Sequence, residues 1–121
     1  MRPDSETVDL NAWLAERVMG WRRSTDGRHW LVPGVQGWDS RRATSDEGTE
    51  EPWLPTVYIG HAWEVVKRLS QGGHSVFLDH HFAQGHLTWK CRFSTNVPAD
   101  EANTAQTAIC LAAKRITEWS R

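Results

Sequence analysis

Apolar residues recur along the chain with two different periods, and the switches between them mark out the elements. Leu10, Trp13, Leu14, Arg17 and Val18 fall at i, i+3, i+4, i+7 and i+8, the stripe of an amphipathic helix. Thr7 suits its N-cap and Gly20 the position just past its last turn, so a first helix is predicted near 7–19. Ile59, Ala62, Trp63, Val66 and Leu69 form a second stripe over 58–70, with Val65 at its edge and Gly72-Gly73 closing it. Glu64 stands four residues before Arg68 on the polar side, a supporting pair. Ala105, Ala108, Ile109, Ala112, Ala113, Ile116 and Trp119 make a third stripe behind a variant capping box, Asn103-Thr104-Ala105-Gln106. That last stripe is mostly alanine, which lets the helix approach its partner closely.

Elsewhere the period drops to two. Leu87, Trp89, Cys91 and Phe93 face one way while His86, Thr88, Lys90 and Arg92 face the other, the pattern of a half-buried antiparallel strand. His74 to Phe82 alternates less strictly, with Val76 and Leu78 opposite Phe77, and Ala83-Gln84-Gly85 turns one strand into the other. A minor hairpin with a two-residue turn is predicted at Asp26-Gly27, with 29–32 as its better strand. The order helix–hairpin–helix–hairpin–helix predicts an α+β fold: three helices packed on a small antiparallel sheet. The 74–94 hairpin is the strongest part of that sheet and 29–32 its third strand. From Gly34 to Pro55 the composition turns to Gly, Ser, Thr, Asp and Glu, and a long polar loop is predicted over 34–55. Loops of that length are usually functional or mobile.

Composition narrows the picture. A chain of 121 residues fits a single domain. A net charge of -1, from 14 basic and 15 acidic residues, lacks the basic excess typical of nucleic-acid binders. The two cysteines, Cys91 and Cys110, lie in apolar segments without C-x-x-C spacing and read as reduced core thiols. No apolar run approaches the ~20 residues that span a bilayer, and the polar first residues lack a signal-peptide core, so a cytoplasmic protein without a membrane partner is expected. Eight tryptophans are the outlier. Such residues either enlarge a small core or anchor a binding surface. Position assigns Trp13, Trp63, Trp89 and Trp119 to the core, since they sit on apolar stripes. Any binding role for tryptophan rests on Trp21, Trp30, Trp38 and Trp53, since they flank the first hairpin or lie in the long loop.

The candidate chemistry is one of binding. His74, His80, His81 and His86 cluster in sequence, but adjacent His80 and His81 point to opposite strand faces. His74 and His80 stand about 20 Å apart on an extended strand. No metal site and no cofactor is expected. No G-x-S-x-G elbow, Walker loop or G-x-G-x-x-G fingerprint occurs, and Ser75, Asp79 and His81 lie in a line along one strand face. An enzyme would need His61, Asp79, His80 and His81 to meet in one pocket, so a non-enzymatic role is expected. The row His86, Thr88, Lys90, Arg92 serves either solubility or an anionic ligand. Trp21-Arg22-Arg23 and Arg28-His29-Trp30 set aromatics beside arginines. That arrangement suits base stacking with phosphate contacts, or two core tryptophans beside a solvated basic turn. The candidate ligand-binding residues are Trp21, Arg22, Arg23, His29, Trp30, Tyr58, His61, Lys90 and Arg92.

Four short segments in order resemble one family. Leu10-Asn11-Ala12-Trp13-Leu14-Ala15-Glu16-Arg17-Val18-Met19-Gly20-Trp21, then Trp30 with Pro33, then Ala62-Trp63-Glu64-Val65-Val66, then Thr104-Ala105 with Ala108-Ile109-Cys110, are similar to the phage ABA sandwich domain. Two places depart from the pattern: Tyr58-Ile59-Gly60 replaces a Ser-Thr-Asp-like turn, and the 34–53 loop is idiosyncratic. The resemblance implies an α/β/α-type sandwich and a phage origin, and it brings no catalytic residues. It leads to the expectation of a phage accessory protein in the cytoplasm of the host bacterium, capturing a small anionic ligand such as a host immune nucleotide signal, as a homo-oligomer. A second reading is an interaction module that inhibits a host protein through the 34–55 loop, anchored by Trp38 and Trp53. A third is a structural or nucleic-acid-associated phage protein.

Overall fold

The computed structural model describes residues 5–34, 37–44 and 52–119. The elements run α1 (Ser5–Arg17), β1 (Arg22–Arg23), β2 (His29–Gly34), β3 (Gly37–Ala43), α2 (Ile59–Gln71), β4 (Val76–Ala83), β5 (His86–Phe93), β6 (Asp100–Ala102) and α3 (Ala105–Trp119). The fold is α+β, with helices and strands in the expected order. The strands form two three-stranded sheets rather than one, β1-β2-β3 and β4-β5-β6, antiparallel throughout. The 29–32 strand therefore belongs to the other sheet, and β6 fills the third place beside the strong hairpin. With three residues, β6 is too short to show an alternation. Its place is set by pairing with Trp89–Cys91 and by Arg115, which donates two hydrogen bonds to Asp100 at 2.8 and 2.9 Å.

The chain reverses after α1 through Gly20, at φ +74°, and Trp21 N–H donates to Ala15 O at 2.9 Å. Glycine adopts that left-handed backbone without a Cβ clash. The reversal turns the Trp21 indole back onto the core. The β4–β5 ladder runs unbroken from Val76↔Phe93 to Ala83↔His86. Gln84 and Gly85 both have positive φ, the two-residue turn whose twist matches the strands it joins. The first hairpin differs from expectation. Five residues, 24–28, separate Arg23 from His29. The Asp26 carboxylate organises them, accepting from Ser24 Oγ at 2.6 Å and from Arg28 N–H at 3.0 Å. In α3 the cap is Thr104, one residue later than the capping-box pattern suggests: its Oγ1 accepts from Thr107 N–H at 3.2 Å.

The 34–55 segment also departs from its reading as a loop. Gly37–Ala43 is strand β3, paired with β2. Its own residues carry little apolar alternation; the ladder supplied by β2 makes it a strand. Ala43 then bridges Pro52, and Trp53 N–H donates to Ala43 O at 3.0 Å. Residues 45–51 lie outside the described residues.

The core gathers around α3. Ala108, Ile109, Ala112, Ala113 and Ile116 are buried, as the stripe predicts, against Cys91 and Phe93 of the second sheet, Val65 and Val66 of α2, and Leu14 of α1. Both cysteines are buried and free. The tryptophans do not divide as their positions along the chain suggest, and Trp21 and Trp30 take the core alternative. Trp53, Trp30 and Trp21 are 1%, 3% and 7% exposed, whereas Trp63 and Trp119 are 46% and 53% exposed. Trp13 and Trp89 are half-buried against the core. A helical stripe is an arc, and only its centre is covered: on α2 the buried centre is Ala62, Val65 and Val66, while Trp63 stands at the rim. Trp119 is the last residue of α3. No helix among the described residues is long and apolar enough to cross a membrane.

Candidate functional site

The turn between β1 and β2, the first part of the 52–58 segment and one face of α1 enclose a cleft of about 390 Å³. Arg23, Asp26 and Arg28 line its polar side, and Asn11, Trp30 and Trp53 contribute its inner wall. Each side chain is held by local structure. The Arg23 guanidinium lies over the Trp30 ring, 4.6 Å from its centroid, a cation–π contact that holds it at the cleft. Thr44 clamps the turn to the end of β3: its Oγ1 donates to Gly27 O at 2.8 Å and its N–H to Arg28 O at 3.0 Å. Asn11 is buried and fixes the opposite wall, its Oδ1 accepting from Thr56 N–H at 3.0 Å.

Trp53 sits in an aromatic stack. Its ring meets Trp21 edge-on at 4.6 Å and lies nearly parallel to His61 at 6.2 Å. His61 Nδ1 accepts from Leu54 N–H at 3.0 Å, which keeps the proton off that nitrogen and orients the ring. Behind the stack Arg42 donates to both oxygens of Glu64, at 3.0 and 3.2 Å, and ties β3 to α2. The Trp53 indole N–H is buried without a hydrogen-bond partner among the described residues. Buried polar groups are rarely left so, because the lost solvation costs about 1–3 kcal/mol.

The charge of the cleft follows from these bonds. The Ser24 hydroxyl and the Arg28 N–H hold the Asp26 carboxyl below the usual carboxylate range, so it stays ionised. Those two donors also occupy its Oδ1 acceptor. Among the described residues two guanidinium groups and one carboxylate line the cleft, an excess of one positive charge. The arrangement can hold an anion between Arg23 and Arg28, since guanidinium donors match phosphate and carboxylate oxygens in pairs.

The nine sequence-predicted residues do not form one site. Arg23 and Trp30 meet at the cleft. Trp21 and His61 are both 7% exposed and pack behind Trp53, so neither offers a stacking face. Trp30 keeps only 3% exposure with Arg23 over its ring, and it supports the arginine rather than a base. These positions correct the stacking role expected of the two tryptophans: burial in the core took up their faces. Arg22 neighbours Arg23 on β1 and projects from the opposite face of the strand. His29 is half-buried opposite Ala43. Tyr58 precedes α2, 39% exposed, with its ring edge-on to His61 at 5.1 Å. Lys90 and Arg92 belong to the second sheet, where Lys90 lies opposite Asp79 and Glu101 and Arg92 covers Phe77 at 5.0 Å.

Asn11, Asp26, Arg28, Thr44 and Trp53 are among the contributors missed as site residues. The signal for Arg28 was present, an arginine directly after the Asp-Gly turn. Asn11 and Thr44 reach the cleft only through tertiary contacts. Trp53, expected as an exposed anchor, is core, and the side chain of Trp38 lies outside the described residues. His61 lies under Trp53, whereas Asp79, His80 and His81 lie on β4, so these four are not brought into one pocket. Among the described residues no three His, Cys, Asp or Glu side chains gather as a metal site would require. Burial pushes the Cys91 thiol up to about 12 and raises Cys110 as well, which keeps both protonated at neutral pH.

The family model of the phage ABA sandwich domain matches residues 12–114, and the chain belongs to that family. The 2.0 Å crystal structure of a phage protein from Bacillus cereus ATCC 14579 is similar over 90% of this chain and 89% of that one, with a TM-score of 0.56 and 19% sequence identity. At that identity the likeness is one of fold. No curated protein matches the chain.

Proposed function

We propose that this member of the phage ABA sandwich domain family is a non-enzymatic accessory protein that captures a small anionic ligand in the cleft beside the first turn. The ligand class we assign is a nucleotide signal of the host's immune response, bound in the cytoplasm of the host bacterium. One observation carries the reading: Arg23 and Arg28 line the same cleft as the buried Trp53, whose N–H has no partner among the described residues. A cleft of about 390 Å³ lies within the range of small-molecule sites, roughly 300–1,000 Å³. A binding role is favoured over a catalytic one because Asp26, the one carboxylate lining the cleft among the described residues, is hydrogen-bonded to Ser24 and to its own turn. The ligand's anionic groups would lie on the arginines, and its recognition would come from hydrogen bonds at the cleft wall rather than from stacking on indole.

The test is calorimetry and thermal shift with cyclic mononucleotides, cyclic oligonucleotides and ADP-ribose derivatives. Binding of at least one member is expected. Arg28→Ala and Arg23→Ala should each weaken it about tenfold or more, the worth of a charge-assisted hydrogen bond. Lys90→Ala with Arg92→Ala should leave it unchanged. No response to any compound, or equal weakening by the Lys90 and Arg92 pair, overturns the reading.

A further inference from the structure

Strand β4 pairs with β5 along one edge and with no strand along the other among the described residues. Its sequence, Val76–Ala83, contains no proline or lysine, and its ladder shows no bulge. Those are three of the devices that blunt a free edge, and Asp79 is the single carboxylate the strand carries. We propose that this edge pairs with the same edge of a second copy, antiparallel about a two-fold axis. Two three-stranded sheets would then become one of six strands.

The backbone already shows which groups the edge offers. Across a two-residue turn, Ala83 and His86 form the first hydrogen-bonded pair of the hairpin. Alternate residues 81, 79 and 77 then bond to β5, and the N–H and C=O groups of Leu78, His80 and Phe82 point outward. His80 displays the consequence: its N–H donates to the carboxylate of the neighbouring Asp79 at 2.8 Å. That local bond stands in for an absent strand.

Side-chain chemistry then selects the register. Residues opposite each other across an antiparallel pair share a face, so the axis must pass through a residue. With the axis at His80, Leu78 meets the partner's Phe82 on one face and Asp79 meets the partner's His81 on the other, each contact occurring twice. Phe82, 71% exposed in the single chain, gains cover. The His80 N–H passes to the partner's backbone, and the released Asp79 carboxylate accepts from the partner's imidazole. Such pairs bring Cβ atoms within about 4.5–5.5 Å. Moving the axis to Asp79 sets two carboxylates face to face, and moving it to His81 leaves Asp79 opposite Ala83. Of these three registers only the one about His80 is complementary on both faces, as a two-fold contact between identical chains requires.

Analytical ultracentrifugation of the full chain over a concentration series should show a monomer–dimer equilibrium. Phe82→Lys should weaken the dimer about tenfold or more while the chain stays folded by circular dichroism. His80→Cys should form an inter-chain disulfide on mild oxidation, because Cα atoms of a hydrogen-bonded pair lie about 5.5 Å apart, within disulfide reach. Asp79→Cys and His81→Cys should cross-link far less. A chain monomeric at every concentration, a dimer untouched by Phe82→Lys, or cross-linking that peaks at position 79 or 81 overturns the proposal.

Discussion

The two sheets use their large apolar side chains in opposite ways. Around the first sheet, Trp21, Trp30 and Trp53 are all under 8% exposed, with Trp53 packed on Trp21 and His61 and Trp30 under the Arg23 guanidinium. In the second sheet, Phe77, Phe82 and Leu87 are 40%, 71% and 37% exposed. The difference follows from what holds each sheet together. The first has a two-residue strand at one edge and an irregularity between Val32 and Gly34, so its ladder is weak and its aromatic packing does the stabilising. The second has an unbroken eight-pair ladder, and α3 covers one of its faces. It can leave apolar residues on its other face and tip without losing its order. The region rich in aromatics is therefore structural in its rings and leaves its arginines at the proposed site, while the plainer hairpin carries the exposed surface.

The largest test of that contrast sets one aromatic against another. Trp53→Ala should cost about 3–5 kcal/mol in urea denaturation, the usual loss for a fully buried large aromatic. Phe82→Ala should change stability by no more than about 0.5 kcal/mol, as surface substitutions do. Similar losses for both would erase the distinction between the two regions. A smaller effect probes the close approach of α3 to the second sheet. Ala112 is 1% exposed, and Ala112→Leu should destabilise by about 1–3 kcal/mol through overpacking. A neutral result would show slack between α3 and the layer beneath it.

The smallest effect appears only at alkaline pH. Burial raises the Cys91 thiol from the ordinary 9.0 to about 12. A raised folded-state value means the stabilisation is whole below about pH 9 and is lost as pH rises towards 12. Stability should decline across that window, and less steeply in Cys91→Ala. Native protein should resist thiol reagents near pH 8 and react at both cysteines once unfolded. Rapid labelling of the native chain would mean the second sheet opens as readily as the first.

Much of this was legible in the sequence. The stripes of α1, α2 and α3 and the alternation of β5 each record a local period, and those elements lie within a few residues of their predicted bounds. The family resemblance was legible for a related reason, since three of its four motifs sit on or beside the helices. The two short or polar strands, β3 and β6, were not, because neighbouring strands make them strands rather than any pattern of their own.

What the sequence determined by itself is the three helices, the strong hairpin and their order along the chain. These depend on spacing along one chain segment. What the tertiary structure decided is which tryptophans are dry and where the cationic cleft lies. Pattern placed Trp63 in the core and Trp53 in a polar loop, but the first stands at the rim of its helix and the second packs against Trp21 and His61. The cleft joins Asn11, Arg23, Arg28 and Trp53 from segments far apart in sequence. Burial and convergence are properties of what lies across from a residue, and no local period encodes that.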